Sequence, residues 1–134
     1  MNHCFKYLLF LGLLILFLPS CGVEDCGCNT FSPINGRWYG KLEGENSKIE
    51  LFINLTEKNS NLYGSGNLWI VTNSINFENV VSVKGSFVSN KVVISFFEID
   101  SIYFEGLLNS AKDSIVGNFF VKSAQYPFSI NKIK

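Results

Sequence analysis

The side chains able to carry covalent or metal chemistry are few in this chain of 134 residues, and most crowd its first thirty positions. All four cysteines (Cys4, Cys21, Cys26 and Cys28) and the one histidine, His3, fall there. Cys26-Gly27-Cys28 offers two thiols, but zinc takes four ligands from cysteine, histidine or carboxylate. The pair is read instead as oxidising-compartment chemistry: a local disulfide, a mixed disulfide or a bond between chains. Glu98 with Asp100, and Glu43 with Glu45, could each set two carboxylates on one strand face, as general acid and base catalysis requires. Both pairs stand beside turn sequences, where solvated acids are ordinary. Gly64-Ser65-Gly66-Asn67 is neither a phosphate loop, since no lysine or helix follows it, nor a nucleophile elbow. With no imidazole beyond His3, a serine nucleophile lacks its usual base. The residue types argue against an enzyme, and neither a cofactor nor a metal is expected.

A polar start containing His3 and Lys6 leads into Leu8 to Leu18, an apolar run of eleven residues, and then into Pro19, Ser20 and Cys21. A spanning helix needs about 20 apolar residues, so the run has the length of a signal-peptide core. Leu18-Pro19-Ser20-Cys21 resembles the lipobox of bacterial lipoproteins. Leucine stands three positions before the cysteine and a small residue just before it, with Pro19 the less usual member. The resemblance implies that 1–20 are a signal peptide and that Cys21 becomes the mature N terminus, carrying a thioether-linked diacylglycerol and an N-acyl chain. One acyl chain holds a protein to a membrane only reversibly, and two or more hold it firmly. By the same resemblance, Gly22 in place of aspartate implies transport to the outer membrane. Glu24-Asp25 loosely resembles the acidic signal that carries some bacterial lipoproteins to the cell surface. The expected location is therefore the bacterial cell envelope, on the periplasmic or the outer face.

Cleavage before Cys21 removes the histidine and leaves ten basic against eleven acidic residues. So balanced a charge gives no basic patch and no reason to expect a nucleic acid partner. Residues 21–35 read as a flexible tether of about 15 residues, with a reach on the order of 20 Å. From Gly36 the hydrophobic period becomes two. In Lys48 to Thr56, Ile49, Leu51, Ile53 and Leu55 share one face, opposite Lys48, Glu50, Asn54 and Thr56. Further strands are expected at 37–44, 62–72, 77–87, 91–98, 101–108, 114–122 and 127–133, separated by turn-forming clusters rich in Asn, Ser and Gly.

Connections this short join only antiparallel neighbours. The expected fold is all-β: an up-and-down meander of eight strands over 36–134 closing into a small barrel, with a two-sheet sandwich as the alternative. Gly64, Gly66, Gly85, Gly106 and Gly117 all fall within expected strands, where glycine marks bends that let a sheet curl. Gly36-Arg37-Trp38 at the head of the first strand resembles the Gly-x-Trp start of lipocalin and calycin barrels. That resemblance implies that Trp38 plugs one end of the barrel. The family's arginine over the tryptophan has no counterpart, because Arg37 is the chain's only arginine and the last strand offers Lys132 and Lys134.

With Ile49 setting the phase, the inner face collects Trp38, Leu42, Leu51, Ile53, Leu55, Leu68, Ile70, Val81, Val83, Phe87, Val92, Ile94, Phe96, Ile102, Phe104, Leu108, Ile115, Phe119, Phe128 and Ile130. An eight-stranded lumen is either filled by side chains or holds one small ligand. If it holds an apolar ligand, Trp38, Leu68, Phe87, Phe96, Phe104 and Phe119 are its candidate contacts. The outer face carries Tyr39, Phe52, Tyr63, Trp69, Phe97, Tyr103 and Phe120. Tyr63, Trp69, Phe97 and Tyr103 are candidates for a partner surface, unless the segment around Phe31 and Ile34 covers them. Two functions stay open. One is a lipocalin-like binder of a small apolar ligand at the membrane. The other is an envelope protein-interaction module with a filled barrel. Ser65-Gly66-Asn67-Leu68-Trp69 faintly resembles the Ser-Gly-x-x-Tyr loop of periplasmic lysozyme inhibitors, departing from it at the last position.

Overall fold

A computed structural model describes Phe31–Lys134, which form one compact unit. The expected signal peptide, the lipobox-like run ending at Cys21, Cys26 and Cys28 lie outside the described residues. Eight antiparallel strands follow in chain order: β1 (Gly36–Gly44), β2 (Ser47–Lys58), β3 (Asn61–Thr72), β4 (Ile75–Val88), β5 (Lys91–Phe96), β6 (Ile102–Leu108), β7 (Ser114–Val121) and β8 (Ala124–Ile133). Each pairs with the next, and β8 pairs back with β1, so the meander closes into a barrel. Five of the connections are two residues long, and Phe97–Ser101 and Asn109–Asp113 are five. In Asn59-Ser60 and Ser89-Asn90 both residues have positive φ, the backbone sign that matches a hairpin turn to the twist of its strands.

The alternation read from Lys48 to Thr56 holds through the wall. Ile49, Leu51, Ile53 and Leu55 are buried, and their counterparts on the other strands join them in one apolar cluster with no buried polar residue. Phe87 and Leu42 are half-buried against that cluster. Leu62 and Val121, beside turns, belong to it as well. So does Ile34, which makes a correction to the tether: the compact unit begins at Phe31 and takes in the last five residues assigned to a flexible segment. Ile34 does not shield the outer aromatics, and Phe31 is 86% exposed. The strand ends move too. β8 begins at Ala124 and β4 at Ile75, while β5 stops at Phe96, before Phe97 and Glu98.

Glycine sets the curvature where strands press together. A Cβ on Gly66 would stand 2.7 Å from Ile53 Cα and closer still to the Phe52 carbonyl oxygen. Only a bare Cα lets β2 and β3 coil this tightly at that point.

Ladder pairing is complete at one end of the barrel and interrupted at the other. β5 pairs with Val83–Val88 and leaves the first half of β4 without a partner on that side. β1 and β8 pair only through Arg37–Tyr39 and Asn131–Ile133. Both gaps open toward the end that carries Glu45-Asn46, Asn73-Ser74, Phe97–Ser101 and Lys122-Ser123. There ladder bonding between β1–β4 and β5–β8 lapses; β1 still packs on β8 at Gly40 beside Ser129 and Ile130, and Lys122 Nζ reaches the Ser74 carbonyl at 3.4 Å.

Candidate binding surfaces

The fully paired end is plugged from below by Trp38. Its ring is wholly buried, and its indole N–H donates to the Ile34 carbonyl at 2.7 Å. Lys132 Nζ lies 5.5 Å from the Trp38 ring centre and donates to the Pro33 carbonyl at 2.7 Å. A lysine of the last strand thus sits over the plugging tryptophan, where the lipocalin pattern has an arginine. Its single ammonium bonds the entering chain rather than stacking a planar fork on the indole.

Five of the six candidate ligand contacts are core side chains. Trp38, Leu68, Phe96, Phe104 and Phe119 are buried and Phe87 is half-buried. Phe119 lies at the centre of the aromatic packing. Its ring centre is 5.4 Å from Phe128, edge-on, 6.1 Å from Phe96 and 6.5 Å from Phe104. Phe104 meets Phe128 edge-on at 5.9 Å. These are the separations of rings in mutual contact.

The outer aromatics fall into three groups. Tyr39 pairs across the ladder with Phe52, and Phe52 and Trp69 share an open groove of about 530 Å³ with Glu50, Asn67, Glu78 and Val80. Lys48 Nζ sits 3.2 Å from the centre of the Trp69 ring and 3.7 Å from the Glu50 carboxylate, which also accepts the Tyr39 hydroxyl at 3.1 Å. Desolvation, then the Glu50 bond, raises the Tyr39 pKa. A second group is centred on Lys84, which pairs across the ladder with Tyr63 and holds Nζ 4.7 Å from the Phe97 ring. Tyr63 and Phe97 are 55% and 63% exposed. The third is a stacked pair, Tyr103 on Phe120 at 4.4 Å, on β6 and β7. The four candidates for a partner surface are therefore shared among three places on the wall, and Phe52 and Val80 join Trp69 there.

One member of each carboxylate pair has a structural partner. Glu43 bonds Lys41 at 2.8 Å, which lowers the Glu43 pKa and raises that of Lys41. Glu98 sets both oxygens 2.8 Å from the Ser82 amide nitrogen, and that backbone bond holds its pKa below the ordinary carboxylate value. Ser65 to Trp69 runs inside β3, not in a loop. Among the described residues no group of three or more metal-ligating side chains comes together, and no helix is long and apolar enough to cross a membrane. No protein-family model matches the chain, and no curated protein matches it.

Proposed function

We propose that this is a lipid-anchored, non-enzymatic protein of the bacterial envelope, whose lipocalin-like barrel acts as a protein-interaction module through its outer wall. Residues 1–20 direct export, Cys21 carries the acyl chains, and the barrel presents its binding surfaces from the outer membrane.

The observation that carries the outer-wall reading is the packing of Phe96, Phe104, Phe119 and Phe128 across the interior. The residues best suited to line an apolar pocket are spent on one another. Supporting the same reading are the groove at Trp69 and the exposure of Tyr63 and Phe97. Supporting the lipocalin-like description are the closed meander and Trp38 capped by Lys132.

Two measurements test it. Mass spectrometry of protein purified from membranes is expected to find acyl chains on Cys21 and none on a Cys21→Ala variant; an unmodified Cys21 sinks the anchor. Titration with a fluorescent fatty acid is expected to give no displaceable signal. Stoichiometric binding that Phe119→Trp abolishes would return the function to the interior.

A further inference from the structure

A two-residue turn closes on a bonded pair, here Thr72 with Ile75. Bonded pairs then alternate along β4, so Ile75, Phe77, Asn79 and Val81 face β3, and Asn76, Glu78, Val80 and Ser82 aim their N–H and C=O at the opposite edge. Ser82 bears this out. Its carbonyl accepts the Phe97 N–H at 3.1 Å, and its own N–H goes to Glu98. Further along the same edge the neighbouring strand is absent. The Val80 N–H is taken by Asn79 Oδ1 at 2.9 Å. Among the described residues nothing answers the Val80 carbonyl or the N–H and C=O of Asn76 and Glu78. All three residues are exposed, Val80 by 64%.

The other gap is treated differently. On β8, Gln125, Pro127 and Ser129 face it, and Pro127 has no N–H to offer. On β1, Lys41 and Glu43 face it and pair with each other. Proline and charge are the usual guards of a strand edge. The open stretch of β4 has neither a proline nor a cation, and Glu78 is the only charge on it.

We propose that the open edge of β4, from Asn76 to Val80, takes an extended segment of a partner protein as an added strand, with a lysine or arginine of that segment set against Glu78.

The charge around the edge selects the occupant. Glu78 makes no ion pair among the described residues, and Glu98 and Asp100 stand in the adjoining turn. The nearby lysines are directed elsewhere: Lys84 lies over Phe97, Lys122 reaches the Ser74 carbonyl, and Lys48 lies over Trp69 beside Glu50. A cation directly across from a carboxylate stabilises a strand pair, and a like charge destabilises it. A second copy is disfavoured on that ground, because the two-fold register that uses Asn76, Glu78 and Val80 sets Glu78 against Glu78. The groove adds selectivity. Glu78 and Val80 form its rim and Trp69 pairs with Glu78 across the ladder, so outward side chains of the added strand lie beside Glu78 and Val80, and only long ones reach over them toward Trp69. Main-chain bonds supply affinity in strand addition, and such pockets supply specificity.

This inference rests on the outer-wall reading and names its partner chemistry. It is tested on the full chain in detergent with a short peptide alternating threonine and lysine, against the same peptide with glutamate for lysine. Amide hydrogen exchange is expected to show Asn76 and Glu78 exchanging freely alone and protected by the lysine peptide only. Glu78→Pro removes an edge-facing N–H and no bond to β3, and is expected to weaken binding at least about tenfold, or about 1.4 kcal/mol. Glu78→Lys leaves the backbone intact and is expected to reverse the preference between the two peptides. Protection of these amides in the free protein, equal binding by Glu78→Pro, or self-association through β4 would each overturn the proposal. Peptide binding that spares β4 would overturn the edge and leave the outer-wall reading standing. A fatty acid bound in the interior would do the reverse.

Discussion

Trp38 and Ile34, four residues apart, are both fully buried, and the indole N–H of one bonds the carbonyl of the other at 2.7 Å. The bond folds the entering chain under the barrel and satisfies a backbone acceptor that has no strand partner. Trp38→Phe keeps most of the ring and leaves that carbonyl orphaned in an apolar site. An orphaned buried acceptor costs about 1–3 kcal/mol. The urea midpoint of the variant is expected to fall with an unchanged slope, the mark of lost stability without a changed denatured state. An unaltered midpoint would show that the indole N–H contributes nothing to the plug.

Gly66 is expected to tolerate no Cβ. In Gly66→Ala the methyl meets the Ile53 Cα and the Phe52 carbonyl, both backbone atoms that cannot rotate away. Overpacking of this kind costs about 1–3 kcal/mol, which in a domain of this size lowers Tm by roughly 4–8 °C for each kcal/mol. Ser65→Ala, next door and exposed, is the control, and it is expected to change stability by less than about 0.5 kcal/mol. Equal melting of the two variants would remove glycine from the account of the curvature.

How far the fold was legible before the structure follows from where the physics is local. Alternation in Lys48 to Thr56 sets the phase of β2 and short turns dictate a meander, as the closed eight-stranded sheet shows. Ile34 is not legible as a core residue because it lies outside the alternating pattern; its burial goes with the bond from Trp38. The end of β5 is not legible either, because Phe96-Phe97-Glu98 reads as strand although β5 stops at Phe96. There a side chain, the Glu98 carboxylate, replaces the ladder acceptor at Ser82. The candidate ligand contacts were recognisable as interior residues from their phase alone, but whether rings fill a lumen depends on their mutual distances. The same phase puts the outer aromatics on the outer face. Their division into three groups is set by register between strands distant in sequence, and so is the unpaired half of β4.

Glu98 ties stability to pH. Its pKa is lowered first by the bond from the Ser82 backbone, so the ionised form favours the folded state. The contribution is whole above the ordinary carboxylate pKa of about 4.3 and is lost as pH falls through the lowered folded value. Glu43, lowered by Lys41, acts in the same direction. In an acid titration the Ser82 amide resonance is expected to move at a pH below the ordinary carboxylate range. Glu98→Gln is expected to abolish that movement and to flatten the acid limb of the stability curve. A Ser82 amide that titrates at the ordinary value would disconnect Glu98 from the fold.

Phe119 offers a direct measure of how the interior is used. Its ring touches Phe96, Phe104 and Phe128, so Phe119→Ala removes the centre of the packing and is expected to cost about 3–5 kcal/mol. What remains is a space lined by aromatic and aliphatic groups, the kind of cavity that stays dry and takes up benzene or xenon. Benzene is therefore expected to raise the Tm of Phe119→Ala in proportion to its occupancy of the folded state. It should leave the parent protein unmoved, because no room exists until the ring is cut away. If benzene raises the Tm of the parent as well, a cavity is present beside the rings, and binding by this barrel returns from the outer wall to the lumen.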